Sequence, residues 1–199
     1  MKKIKIFFIT SFDEDSNYKK VTNVVNNAIS YLKEIGKKEF KIQLYTLDNI
    51  SHVSVAVEIL QLVQEADIII SNLSSYSPNS MYEMGLSHAL RKPTIILLNN
   101  ELQHNFDLLH NRFITYGTDA LNSVLLVEKI AETIYDAINN PELWIFNEGK
   151  KENKATQKTL FVSYSHKDNL YLNRLKVHIK PLERNGSIQL WSDTLIQSG

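Results

Sequence analysis

The chain of 199 residues contains no cysteine. Disulfide bonds, thiolate catalysis and cysteine-ligated zinc are therefore excluded as sources of stability or chemistry. A cysteine-free chain fits a reducing compartment, and on this ground we expect a cytoplasmic protein.

No stretch of the sequence approaches the roughly 18 consecutive apolar residues of a membrane-spanning helix. The opening MKKIKIFFITSF combines basic residues with a short apolar run, as a signal peptide does. Its apolar run is too short, however, polar residues follow at once, and no small-residue cleavage site appears. We interpret this run as a buried first strand and expect no membrane partner.

The sequence also lacks an excess of either charge, since 22 Lys and Arg balance 22 Asp and Glu. Proteins that coat nucleic acids or anionic membranes usually carry a basic excess. We therefore expect no nucleic-acid partner, although a small local anion site remains compatible with this balance. The hydrophobic content of 43% is sufficient for a real core.

What the first 140 residues do contain is an alternation of strand and helix patterns. Short β-branched runs predict strands, and apolar residues three and four apart predict helices. Strands are expected at Ile4–Ile9, Phe40–Leu47, Asp67–Leu73, Pro93–Leu98 and Arg112–Tyr116, with helices at Tyr18–Ile35, Val53–Ala66, Ser80–Arg91 and Leu121–Ile138. This order predicts an α/β fold, a flavodoxin-like doubly wound parallel five-stranded sheet with helices on both faces.

Beyond residue 146 the composition changes to the polar run NEGKKENKATQK. We interpret residues 147–158 as a linker between a first domain at 1–146 and a second segment at 159–199. In this segment the pattern restarts, with a strand at Leu160–Tyr164, a helix at Asp168–Glu183 and a strand at Ile188–Trp191. Two strands and one helix predict only a partial second α/β domain.

Ligands of doubly wound sheets bind beyond the carboxyl ends of the strands, where the strand order reverses. In the expected order this point lies between the first and third strands. The loop from Thr10 to Asp15 and the loop from Asn72 to Tyr82 meet there. We therefore predict the functional site at these two loops.

Three segments carry a family resemblance, namely IFFITSFDED, ADIIISNLSSYSPNSMYEMGLSHALRKPTIIL and FDLLHNRFITY. Over about residues 3–118 they resemble the nucleoside 2-deoxyribosyltransferase-like family. The family motif corresponds here to Pro78, Asn79, Tyr82, Glu83 and Gly85, followed by a Lys-Pro pair. The resemblance implies cleavage or transfer at the N-glycosidic bond of a nucleoside or nucleotide. It further implies Glu83 as nucleophile, no cofactor, and a homo-oligomer.

This chemistry has a physical logic of its own. A developing oxocarbenium ion needs a nearby carboxylate, and the departing base needs a proton or a hydrogen bond. Glu83 follows the predicted start of a helix, whose dipole favours an ionised carboxylate. The same helix start offers N–H groups for a phosphate beside Ser77 and Ser80. Nucleoside monophosphates and NAD-like dinucleotides are the substrates that we expect.

The same residues have simpler interpretations. Ser80 and Glu83 have the spacing of a capping box, in which each side chain bonds the other's backbone. Tyr82 either lines the sugar pocket or packs against the first strand, and Gly85 either contributes to the site or allows close approach of helix and sheet. Phe12 either stacks on a base or packs in the core. Further candidate substrate contacts are Ser11, Ser74 and Asn79.

One position departs from the family pattern, because Asn72 stands where the family often carries Asp. An amide cannot act as the acid for the leaving base. Asp13 or Asp15 on the facing loop is a possible substitute, although an acidic turn there is equally ordinary. His88 has no second histidine at metal-ligand spacing, so no metal site is predicted.

The second segment resembles the opening of a TIR domain, through FVSYSHKD at 161–168 and Trp191-Ser192-Asp193. In TIR enzymes that cleave NAD, the catalytic glutamate lies on a later helix, which this sequence does not include. We therefore expect a truncated TIR-like domain without NADase activity. The pairing implies a defence or signalling protein, in which the first domain is either an enzyme or a catalytically weak nucleotide-sensing module that regulates the TIR effector.

Overall fold

The computed structural model describes residues 2–11, 17–37, 39–47, 55–75, 77–100, 113–146 and 158–192. Contacts within the chain divide it into two compact units, Met1–Asn147 and Glu148–Gly199. Phe12, Asp13 and Asp15 lie outside the described residues, and so does the segment from Glu101 to Arg112.

The first unit alternates strands and helices. Its strands are β1 (Lys2–Ile9), β2 (Phe40–Tyr45), β3 (Ile68–Asn72), β4 (Thr94–Asn99) and β5 (Phe113–Tyr116), and its helices are α1 (Tyr18–Glu34), α2 (Val55–Glu65), α3 (Pro78–Ala89) and α4 (Val124–Asn139). All neighbouring strands pair in parallel, in the order β2-β1-β3-β4-β5. This is the flavodoxin-like order, so the predicted fold class is confirmed.

The start of α3 differs from the prediction in a way that matters for the site. The helix begins at Pro78 rather than Ser80, with Ser77 at the N-cap. Proline suits the first helical position, because its φ is already helical and its missing N–H would have had no partner there. Ser80 and Glu83 consequently lie inside the helix, and the capping-box interpretation of this pair is wrong.

One face of the sheet carries a continuous apolar layer. Side chains of β1, β3, β4 and β5 that share this face pack against α1 and α4 in a single cluster. The helices contribute residues at the predicted spacing, namely Val21, Val24, Val25, Ala28, Ile29 and Leu32 of α1 and Leu126, Ile130, Ala131, Ile134, Ala137 and Ile138 of α4. This layer holds the largest apolar cluster within the described residues.

The opposite face carries α2 and α3 over two separate, smaller clusters. One joins Phe7, Ile9 and Ile69 to α2, and the other joins Leu73, Ile96 and Leu98 to Met84 of α3. The buried residues of α3 are Ser80, Glu83, Met84 and Ser87, so three of the four are polar. Among the described residues, α3 therefore buries fewer apolar side chains than α1, α2 or α4.

The second unit contains β6 (Lys158–Val162), α5 (Asn169–Arg184) and β7 (Ile188–Ser192). The two strands pair in parallel, as a strand-helix-strand crossover requires. Leu172 and Ile179 are the buried residues of α5, whereas Leu160 and Phe161 of β6 are exposed. Within the described ranges, no helix of either unit has both the length and the apolar character needed to cross a bilayer.

Candidate active site

The strand order of the first unit reverses between β1 and β3, which are neighbours in the sheet. Thr10 and Ser11 follow β1, while Asn72 ends β3, so these residues meet at the carboxyl edge. Asn72 donates a hydrogen bond from Nδ2 to Thr10 Oγ1 at 3.3 Å. The structure thus brings together the described parts of the two predicted loops.

A buried hydrogen-bond network extends from this contact across the sheet edge. Asn72 Oδ1 accepts hydrogen bonds from Ser74 Oγ at 2.7 Å, from the Ser74 N–H at 3.3 Å and from the Tyr116 hydroxyl at 3.1 Å. The Ser74 and Tyr116 hydroxyls lie 2.7 Å apart, and the Asn99 N–H donates to Ser74 Oγ at 3.0 Å. The network therefore links the carboxyl ends of β1, β3, β4 and β5.

This network explains why an amide side chain suits position 72 better than a carboxylate. The donor half of the Asn72 amide bonds Thr10, and its acceptor half bonds Ser74 and Tyr116. A carboxylate could not donate to Thr10 and would place a charge at a position that is only 2% exposed. Burial also raises the pKa of Tyr116, so its hydroxyl keeps the proton that it donates.

Glu83 lies in the second turn of α3, with its side chain in the layer between this helix and the sheet. The residue is 3% exposed. Within the described residues its Oε2 atom is buried and has no hydrogen-bond partner. Burial raises the pKa of Glu83 to about 7. Desolvation disfavours the charged form, so the direction of the shift is opposite to the ionisation that we expected from the helix dipole.

A carboxyl group with a pKa near neutrality is chemically useful, because both protonation states are accessible at physiological pH. Groups of this kind are typical of active sites, although isolated structural carboxyls also occur. Glu83 combines this property with a position next to the reversal point of the sheet. It is therefore the leading catalytic candidate among the described residues.

The remaining predicted residues of α3 lie on its exposed side. Tyr82 is 66% exposed, so it does not pack against β1. Gly85 is also exposed, and a Cβ added to it would meet nothing within 4 Å. The interpretation of Gly85 as a point of close helix–sheet approach is therefore wrong. Asn79 is exposed as well, whereas Ser77 at the N-cap is half-buried.

Sequence reasoning missed several residues of this site. Asn99 and Tyr116 join the network, and Ser71 of β3 is fully buried with a hydroxyl that has no partner within the described residues. The sequence does contain a signal for Ser71, because this hydroxyl residue directly follows three isoleucines in a predicted buried strand. The network itself has no local sequence signal, because its members lie up to 106 positions apart in the chain.

Among the solved structures that are similar to this chain are two enzymes. The CMP N-glycosidase BcmB of Clostridium botulinum has 16% identity and a TM-score of 0.42, over 65% of this chain and 98% of the other. A 2-deoxyribosyltransferase of Bacillus psychrosaccharolyticus has 18% identity and a TM-score of 0.38, over 61% of this chain and 95% of the other. No model of a protein family matches the sequence, and no curated protein matches it.

Proposed function

We propose that the first unit cleaves or transfers at the N-glycosidic bond of a nucleotide or nucleoside, with Glu83 as the nucleophile. The observation that carries the proposal is a buried carboxyl with a pKa of about 7 beside the point where the strand order reverses. Attack by its carboxylate on the anomeric carbon would release the base and form a glycosyl-enzyme. Water or a second base would then take the sugar.

A nucleotide phosphate has a candidate position at the start of α3. The first N–H groups of a helix have no partner inside the helix, and the dipole there favours an anion. Ser77 at the N-cap makes no capping hydrogen bond within the described part of the chain. This arrangement supports a nucleoside 5′-monophosphate or a dinucleotide over an uncharged nucleoside.

The test is base release by the full chain. Nucleosides, nucleoside 5′-monophosphates and NAD are incubated with the protein, and free base is measured by chromatography. We expect Glu83→Ala to reduce release by about 10³-fold or more, as for the loss of other nucleophiles. Glu58→Ala, in the neighbouring helix α2, is the matched control and should leave release unchanged. Equal activity of the Glu83 variant and the wild type would refute the proposed nucleophile.

The pH dependence distinguishes a nucleophile from an acid. A nucleophilic carboxylate must be ionised, so release should increase as pH is raised through about 7, the pKa of Glu83. If Glu83 were the acid that protonates the leaving base, release would decrease over the same range. The comparison uses rates at limiting substrate, which follow the ionisation of the free enzyme.

A second function is favoured by a specific observation. Because both halves of the Asn72 amide are engaged within the protein, this position supplies no proton for a leaving base. The alternative is therefore a nucleotide-sensing module that binds its ligand without cleaving it. The resemblance of the second segment to a TIR domain supports a regulatory partner of this kind. Thermal stabilisation by a nucleotide that is recovered unchanged would favour sensing.

We further propose a homo-oligomer in which the exposed side of α3 lies near a second copy. Tyr82 and Gly85 are exposed one turn apart on this helix. Glycine in an exposed helix costs about 1 kcal/mol relative to alanine, which suggests that something approaches it closely. Sedimentation analysis of the full chain tests this assembly, and a monomer at all concentrations would refute it.

A further inference from the structure

Among the residues that the structure describes, two polar atoms are buried without partners in the layer between α3 and the sheet. Within the described residues, Glu83 Oε2 and Ser71 Oγ are buried and form no hydrogen bond. Buried polar atoms are nearly always paired, and an unpaired one costs about 1–3 kcal/mol. Two such atoms in one small layer call for a common explanation.

The register of the sheet determines where Ser71 lies. Ser71 pairs with Ile9 of β1 on one side and with Ile96 of β4 on the other. Residues that pair across parallel strands share a face, and Ile9 and Ile96 belong to the two separate clusters on the α2–α3 face. Ser71 therefore lies between these clusters, beneath α3.

The positions of the α3 side chains show that Glu83 points toward the part of the sheet where Ser71 lies. Met84 packs in the cluster of Ile96, and Leu86 packs against the cluster of Ile9. On an α-helix with 3.6 residues per turn, position 83 points between positions 84 and 86. The side chain of Glu83 is therefore directed at the gap between the two clusters, which is the gap that Ser71 occupies.

Neither atom lies within hydrogen-bond reach of the other in the described structure, and a neutral Glu83 can occupy this layer without a partner. A protonated carboxyl tolerates an apolar layer, whereas an ionised one requires a donor. Desolvation is the cause of the raised pKa of Glu83, and no charged neighbour contributes to it. Lys5 of β1, on the same face as Phe7 and Ile9, pairs with Glu65 of α2 at 2.7 Å. His88, a half-buried titratable residue of α3, stacks on Phe146 with ring centroids 4.9 Å apart.

We infer that Ser71 is a positioning residue for Glu83, whose hydroxyl supplies the hydrogen bond that the carboxylate needs once it is ionised. The inference rests on the proposed function insofar as the ionised carboxylate is the attacking species. On ionisation the Glu83 side chain would rotate until Oε2 comes within reach of the Ser71 hydroxyl, whose hydrogen bond would then fix the orientation of the carboxylate. Ser71 would thereby act through Glu83 without contacting substrate.

The test measures ionisation of Glu83 directly in the full chain. Glutamate labelled with ¹³C at the carboxyl carbon is titrated by NMR, and Glu83→Gln identifies the resonance. We expect Ser71→Ala to raise the titration midpoint of Glu83 by roughly one pH unit, because the ionised form loses its donor. Ser87→Ala is the matched control, since Ser87 is equally buried on α3 but its hydroxyl already donates to the Glu83 carbonyl.

Two additional variants keep the result interpretable. Ser71→Thr retains the hydroxyl and should retain the wild-type midpoint. Ser71→Cys, with a weaker donor, should raise the midpoint and replaces Ser71→Ala if that variant does not fold. An unchanged midpoint in Ser71→Ala, or an equal shift in Ser87→Ala, would overturn the inference.

Base release separates this inference from the proposed function. If both hold, Ser71→Ala lowers kcat with little effect on KM and moves the pH profile upward with the NMR midpoint. A shifted midpoint without release from any compound would support the contact between Ser71 and Glu83 and overturn the proposed enzyme. Release that requires Glu83, with no shift in Ser71→Ala, would overturn the role of Ser71 alone.

Discussion

The sheet of the first unit separates two helical layers of opposite character. The layer of α1 and α4 is one continuous apolar cluster, with an alanine or a β-branched residue at most contact points. The layer of α2 and α3 consists of two small apolar clusters, and polar residues of α3 are buried in the same layer. Burial of apolar surface is the main source of stability, so the first layer should carry most of it.

The difference indicates a division of roles between the layers. Polar groups buried without partners weaken a fold, yet they are also the groups whose chemistry a site can use. Glu83 and Ser71 are both on the polar side, next to the carboxyl edge. The apolar layer can stabilise the sheet, while the polar layer holds a carboxyl in a state that is unfavourable for stability.

The largest expected effect tests the apolar layer. Ile134 of α4 is fully buried, and Ile134→Ala should lower the free energy of unfolding by about 2–5 kcal/mol. Met84→Ala in the polar layer is the comparison. The loss of unfolding free energy for Met84→Ala should be at the lower end of this range, because the surrounding cluster is small and can relax. Urea denaturation of both variants measures the difference, and equal losses would contradict the division between the layers.

The second prediction concerns Glu83 and pH. Its pKa is about 7 in the folded chain, against about 4.3 for an unfolded glutamate. Between these values the folded state holds a proton that the unfolded state has lost, so stability falls as pH rises toward 7 and is constant above it. Glu83→Gln removes this dependence. Relative to wild type, the variant should gain about 1–3 kcal/mol between pH 5 and pH 8.

Thermal or urea unfolding across this pH range checks the prediction. The lowered pKa of His88 gives a dependence of opposite sign, since stability then falls as pH drops below the ordinary histidine range. Because His88 is present in both chains, its contribution cancels in the difference between wild type and variant. Parallel pH profiles would show that Glu83 is not desolvated in the folded protein.

The third prediction concerns the carboxyl edge of the sheet. Its buried polar groups have hydrogen-bond partners, unlike Glu83 Oε2 and Ser71 Oγ in the described structure. Tyr116→Phe removes the hydroxyl that contacts both Ser74 and Asn72. We expect a loss of about 1 kcal/mol, the usual net value of a buried hydrogen bond. Tyr31→Phe, which removes a partly buried bond to Glu128, is the matched control and should cost less. A neutral Tyr116→Phe would show that the network does not stabilise the edge.

The sequence was sufficient for the fold because each element had a local signal. The β-branched run at 68–70 and the periodic apolar residues of α1 and α4 depend only on neighbouring positions. Alternation of strands and helices then left few topologies, of which the flavodoxin-like order is one. The start of α3 was predicted at Ser80, whereas the helix begins at Pro78. The capping-box spacing of Ser80 and Glu83 was given more weight than the proline.

The candidate site was only partly predictable from the sequence. Glu83 and Asn72 were identified through a family motif, whereas the roles of Thr10, Ser74 and Tyr116 depend on contacts across the sheet. The pKa of Glu83 could not be anticipated either. Its position near a helix start predicts stabilisation of the charge, and only the buried environment reveals that desolvation dominates.

The smallest expected effect tests the exposed side of α3. Gly85→Ala should stabilise an isolated chain by about 0.5–1 kcal/mol, since alanine is the better helix former and the added Cβ meets nothing within 4 Å. Gly36→Ala is a control with the opposite expected effect. Gly36 has a φ of 86°, so alanine would be strained there and should destabilise the chain. Both are measured by thermal unfolding at a concentration where the chain is monomeric. If Gly85→Ala instead destabilises the monomer, the helix face is not open as the structure shows it. If it stabilises the monomer but weakens self-association in sedimentation, the glycine is there to admit a second copy close to the site.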